Sequence, residues 1–174
     1  MSRAKKTRII IAIVCISFIQ GLQFSVSPVL GQIADYYQGI DGSLVQMLVT
    51  APSMVSIVVA VISGWLVVKI SKKKLLIFGS LVAGVTGFLP LFVDSFPVLF
   101  ASRTVYGIAL GLATTLNTAV VAEFFEGDER VTVMGIQAAS VGAGMTVVAA
   151  MSGYLGNYGF KFTYFTNIIG FVCM

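Results

Sequence analysis

The stretch that decides the fold runs from Ile62 to Phe78, "ISGWLVVKISKKKLLIF". Lys69, Lys72, Lys73 and Lys74 sit between two long apolar runs. Lysines clustered between bilayer-length segments are retained on the cytoplasmic side of a membrane. The stretch therefore predicts a hairpin of two membrane helices turning at the lysines.

The rest of the chain agrees. Of 174 residues, 57% are hydrophobic and 10% charged, and the mean hydropathy is +0.98. Soluble domains carry roughly a quarter charged residues, so a chain this apolar needs lipid as part of its solvent. The net charge of +4 comes from a few clusters, not from the basic stripe that nucleic acid requires; no nucleic-acid partner is expected. The absence of histidine excludes imidazole-based triads and histidine zinc sites. The two cysteines, Cys15 and Cys173, have no metal or disulfide-framework spacing. No nucleophile–base constellation or phosphate-binding loop is present, so neither enzyme activity nor a cofactor is expected. The basic, then apolar N-terminus "MSRAKKTRIIIAIVCISF" reads as a retained first span, because no early cleavage site follows it.

A membrane helix needs about 20 mostly apolar residues. Five segments meet this: Ile9–Leu30, Leu44–Val68, Leu75–Val93, Pro97–Val121 and Val131–Leu155. A sixth starts at Phe160 and reaches Met174, too short to cross at about 1.5 Å per residue. The expectation is a single all-α domain, residues 1–174, with a truncated sixth helix, the front part of something longer. Short links, "GQIADYYQGIDGS", "KISKKK", "DSF", "EFFEGDER" and "GNYG", predict antiparallel neighbours. Arg3, Lys5, Lys6, Arg8, the four lysines and Arg130 fall on one side; Lys161, with Asp35, Asp41 and Asp94, falls on the other. That places the N-terminus in the cytoplasm of a cell-membrane protein. An echo between "IADYY" (Ile33–Tyr37) and "VAEFF" (Val121–Phe125), 88 positions apart, suggests two inverted three-helix repeats.

Within the spans, Arg103 is the one charge well inside. Such charges face a bundle interior or a watery cavity, or snorkel outward. Thr114 and Asn117 fall within about 40° of it on a helical wheel. Gln20, Gln23 and Ser27 lie within about 60° of one another, with Pro28 placed to bend the helix. Gln46, Thr50 and Gln137 are further uncharged polar positions. Each suits either a substrate cavity or a bond between helices. Gly107 and Gly111, at i+4 steps from Arg103, permit close helix approach. In the fifth span Gly135, Ala139, Gly142, Thr146, Ala149 and Gly153 share a face and read as a packing seam. No carboxylate lies at mid-depth.

These residues resemble the N-terminal half of a major facilitator superfamily transporter over nearly the whole chain. Gly64-Trp65-Leu66-Val67-Val68-Lys69-Ile70-Ser71-Lys72-Lys73 is similar to that family's motif A, Gly-x-Leu-x-Asp-Arg-x-Gly-Arg-Arg. Arg103, Gly107 and the near-match Ala109 resemble motif B, Arg-x-x-x-Gly-x-Gly. "SPVLGQIADYY" and "LVQMLVTAPSMV" resemble the first two spans of drug-efflux members, and "YGFKFTYFTN" their entry to the sixth. Val68 and Ser71 depart from the motif A aspartate and glycine. Val148 and Ala149 stand where antiporters carry the Gly-Pro of motif C.

The resemblance implies half of a twelve-helix carrier with a substrate cavity between two six-helix bodies. Arg103 becomes a coupling or gating candidate, and Gln20, Gln23, Gln46, Asn117 and Gln137 become cavity candidates. The expected partners are a small organic solute or drug, moved outward, the lipid bilayer, and a C-terminal half or second subunit. The alternatives are a non-transporting fragment or a half-size subunit that needs a partner.

Overall fold

The computed structural model describes residues 3–167. They are helical almost throughout, with no β-strand among them. Helix α1 spans Arg3–Gly21, a 3-10 segment follows over Leu22–Val29, and α2 spans Leu30–Tyr36. Then come α3 (Gly42–Lys69), α4 (Lys72–Phe92), α5 (Phe96–Phe124), α6 (Gly127–Gly156) and a second 3-10 segment, Phe160–Asn167. Five stretches are long and apolar enough to cross a membrane, the first running from Lys5 to Tyr36. The sixth predicted segment begins as the second 3-10 segment, and its remainder lies outside the described residues.

The spans outrun the sequence boundaries. "KISKKK" is not a loop: α3 ends at Lys69, only Ile70 and Ser71 intervene, and the three following lysines form the first turn of α4. "EFFEGDER" shrinks to Phe125 and Glu126, with Asp128 and Glu129 in the first turn of α6, where the helix dipole favours acids. "GQIADYYQGIDGS" stays helical to Tyr36, because fully buried Ile33 packs with Val45, Leu48, Phe96 and Leu99. Polar residues continue a membrane helix into the headgroup layer wherever one of their faces still packs.

Pro28 acts on the first span as its chemistry predicts. It lacks an N–H and crowds the preceding turn, and the helix tightens to 3-10 winding around it. The echo pentapeptides share a local structure. Each ends a helix, with Tyr37 N–H donating to the Ile33 carbonyl (3.0 Å) and Phe125 N–H to the Val121 carbonyl (3.1 Å). Ile33 and Val121 are both buried. One pair lies at the lysine-poor end of the bundle, beside Lys161, and the other at the lysine-rich end, as an inverted repeat requires.

Helix α5 is the centre, buried over 56% of its most apolar window, whereas α3 and α6 bury only 11% and 17%. Lipid is as apolar as leucine, so close packing rather than water exclusion joins these helices. At Gly107 and Gly111 the α3 backbone approaches so closely that an added Cβ would lie 2.5 Å from the Pro52 carbonyl and 2.6 Å from that of Ser56. The seam expected on α6 is corrected in part: Gly153 faces Pro28, with a Cβ 3.7 Å away, and Thr146 and Ala149 face the first span. Gly135 and Gly142 have nothing within 4 Å of a Cβ position. The buried stripe is Gly144, Val148, Ser152 and Gly156, and a Cβ on Gly21 of α1 would meet the Gly144 backbone at 2.7 Å.

Candidate functional site

The polar positions of the first span fall on both sides of the junction between α1 and the 3-10 segment. Gln23 is nearly buried and donates from Nε2 to Ser53 Oγ (2.5 Å) and to the Val49 carbonyl (3.3 Å) of α3. One turn toward the N-terminus, Gln20 has a buried Nε2 with no hydrogen-bond partner. Below it Ser17 donates to the Ile13 carbonyl (2.8 Å) and accepts from Asn117 Nδ2 of α5 (2.9 Å). Asn117 is 0% exposed, and its Oδ1 has no partner. One donor on α1 and one acceptor on α5 are thus unmet within the spans. Gln46 is exposed on α3 and Gln137 half-buried on α6; among the described residues neither is hydrogen-bonded to Gln20, Gln23 or Asn117.

Beside the broken segment is a hollow of about 320 Å³, lined by Phe24, Ser27 and Pro28 from the first span and Met145, Thr146 and Ala149 from α6. It carries no charge. The 3-10 segment stays packed on α6 beyond the Gly21–Gly144 contact: a Cβ on Gly153 would lie 3.7 Å from Pro28 Cβ, and one on Gly156 2.7 Å from Val29 Cγ1.

Arg103 does not snorkel. It is 5% exposed; Nη2 donates to Ser25 Oγ (3.0 Å), and the guanidinium carbon lies 5.4 Å from the Tyr164 ring centroid. No carboxylate pairs with it among the described residues. Hydroxyl and aromatic-face contacts solvate the cation but leave its charge uncompensated, a costly arrangement at membrane depth. Helix α5 carries Arg103 toward the first span and Gly107 toward α3.

At the lysine-rich end the motif A-like residues separate. Leu66 packs beside Leu75, Leu112 and Leu116. Gly64 faces open space, and Val68 is 86% exposed. Lys69 Nζ lies 3.8 Å from the Trp65 ring centroid. Lys72 is ion-paired to Glu123 and reaches the Ala119 carbonyl at 3.4 Å. Ser71 stands at the N-cap of α4 without a side-chain cap bond, and Lys73 is exposed.

The sequence did not announce the cluster at the opposite end. Asp94 accepts from Tyr36 (2.5 Å), Tyr37 (3.0 Å) and Lys161 (2.6 Å). The Tyr36 ring lies 5.0 Å from those of Tyr37 and Phe160. The Lys161 ammonium, then the tyrosine hydroxyls, lower the Asp94 carboxyl to about 2. Burial and the Asp94 carboxylate push the Tyr37 phenol up. One loop acid thereby ties together the ends of the first, third and sixth segments. The only signal in the sequence was that tyrosine pair, acid and lysine all fall on the same side.

The family model described as Major Facilitator Superfamily matches residues 9–174. Curated proteins offer no match. The matched span takes in all but the first residues of the described transmembrane helices and both motif-like regions. This chain, a multi-pass membrane protein, belongs to the Major Facilitator Superfamily, a family of transporters and not of enzymes.

Proposed function

We propose that the chain forms one six-helix body of a secondary carrier that exports a small organic solute by alternating access, with its N-terminus and lysine-rich end in the cytoplasm of a cell-membrane protein. The observation that carries this reading is the 3-10 winding of the first span over Leu22–Val29, beside the uncharged hollow, with the unmet Gln20 and Asn117 amide groups. Irregular winding within a membrane helix is tolerated where it lines a cavity, and carriers place their binding sites at such segments. Phe24, Met145 and the Ser27 and Thr146 hydroxyls suit an uncharged or weakly polar solute. The sparsely buried α3 and α6 are the surfaces on which a second six-helix body, in the same chain or another subunit, would close the cavity. Export rests on the efflux-like character of the first two spans.

Transport is measured with the full-length protein in oriented proteoliposomes, against a panel of fluorescent organic solutes. Energy-driven movement away from the lysine-rich side is expected; accumulation toward it overturns export. Arg103→Met separates coupling from architecture. It removes an uncompensated buried charge while keeping length and packing, so the melting temperature stays level or rises while transport falls at least about tenfold. Equal loss of both would assign Arg103 to structure alone.

A further inference from the structure

We propose that the lysine-rich end carries a binding site for an anionic phospholipid, in the hollow between the α3–α4 turn and the end of α5. The hollow measures about 630 Å³, within the range of small-ligand sites. Its walls are Val67, Val68, Ile70, Val120 and Phe124; its polar rim is Lys69, Ser71, Lys72 and Glu123. It lies where α3 leaves the apolar layer, one turn beyond Trp65, a residue type that favours the membrane–water boundary.

Charge selects the ligand. Glu123, the one carboxylate on the rim, is already bonded to Lys72. The Lys69 ammonium rests over Trp65 (3.8 Å), and that of Lys5 over Phe124 (5.9 Å). A cation over a ring face keeps N–H groups free for a further acceptor. Lys5, Lys69, Lys73 and Lys74 form no ion pair with any described carboxylate, whereas Lys6 and Lys161 are paired to Glu129 and Asp94. Two unpaired ammonium groups, Lys69 on the rim and Lys5 over Phe124 of the wall, thus border one hollow whose walls are apolar. A free phosphate would satisfy only the rim. A phosphodiester bearing acyl chains satisfies rim and walls together. The first-turn N–H groups of α4, uncapped by Ser71, add donors beside Lys72 and Lys73.

Trp65 is the only tryptophan in the chain, so its fluorescence reports on this corner alone. The full chain is placed in nanodiscs with brominated phosphatidylglycerol or brominated phosphatidylcholine at equal mole fractions. Stronger, saturable quenching by the anionic lipid is expected. Lys69→Gln or Lys5→Gln lowers that preference about threefold to fivefold, the share of one basic residue near an anionic surface. Lys161→Gln, at the opposite end, leaves it unchanged, and circular dichroism confirms that each variant is folded. Equal quenching by both lipids, or an unaltered preference in the Lys69 and Lys5 variants, overturns the site. Displacement of the brominated lipid by millimolar inorganic phosphate overturns the lipid assignment in favour of a small-anion site.

Discussion

At the scale of single residues, chemistry and position contribute separately. Gly64 and Gly107 both fall in motif-like runs, yet the fold treats them in opposite ways. A Cβ on Gly107 would lie 2.5 Å from the Pro52 carbonyl and 2.8 Å from Val55 Cβ, so Gly107→Ala must push α3 away from α5. The expected cost is about 1–3 kcal/mol, read as a melting temperature lower by several degrees in detergent. A Cβ on Gly64 meets nothing. Gly64→Ala should leave the melting temperature unchanged or raise it, since alanine is the better helix former by up to about 1 kcal/mol. Equal losses in the two variants would sink the steric account. The amides divide similarly. Gln23 and Asn117 were legible as one polar stripe each, but helical angles could not show that both would bond neighbouring helices.

At the scale of elements, the first span and α6 show what periodicity can and cannot resolve. Pro28 marked the break in the first span because its missing N–H acts locally. The buried face of α6 was not legible: both Gly135–Gly142 and Gly144–Gly156 offer small residues at helical spacing. In a helix apolar on every side, only the partner's shape chooses between them, and Gly21 and Phe18 of α1 chose Gly144.

The Asp94 cluster binds elements that composition alone would leave unrelated, and it makes stability depend on pH. Its carboxyl titrates at about 2, below the ordinary 3.8. The stabilisation is therefore complete above about pH 4 and is lost as pH falls toward 2. Asp94→Asn should lower the melting temperature at pH 6, and the gap to the parent protein should close as pH approaches 2. A gap that is the same at both pH values would show that the carboxylate's charge is not what holds Tyr36, Tyr37 and Lys161.

At the scale of the whole molecule, Val68 tests whether the lysine-rich turn does more than set topology. It is 86% exposed on the side of α3 left open by this bundle. Val68→Asp should change the stability of the six-helix body by less than about 0.5 kcal/mol. In the transporting protein it should alter the transport rate or the balance between the two faces, followed by cysteine accessibility at each end. If rate and accessibility both stay at the parent values, Val68 has no part in the balance between the two faces.

The sequence by itself determined the number of spans, their alternation and the end at which positive charge collects. These follow from the length of apolar chain a bilayer demands and from lysines placed between such lengths, both local quantities. The tertiary structure alone decided which face of α6 is buried, that Arg103 rests on Ser25 and Tyr164, and that Asp94 gathers residues 57 to 67 positions away. The physical reason is common to all three. Lipid solvates every apolar face alike, so the inward face of each helix is chosen by shape and hydrogen bonding between segments far apart in the chain.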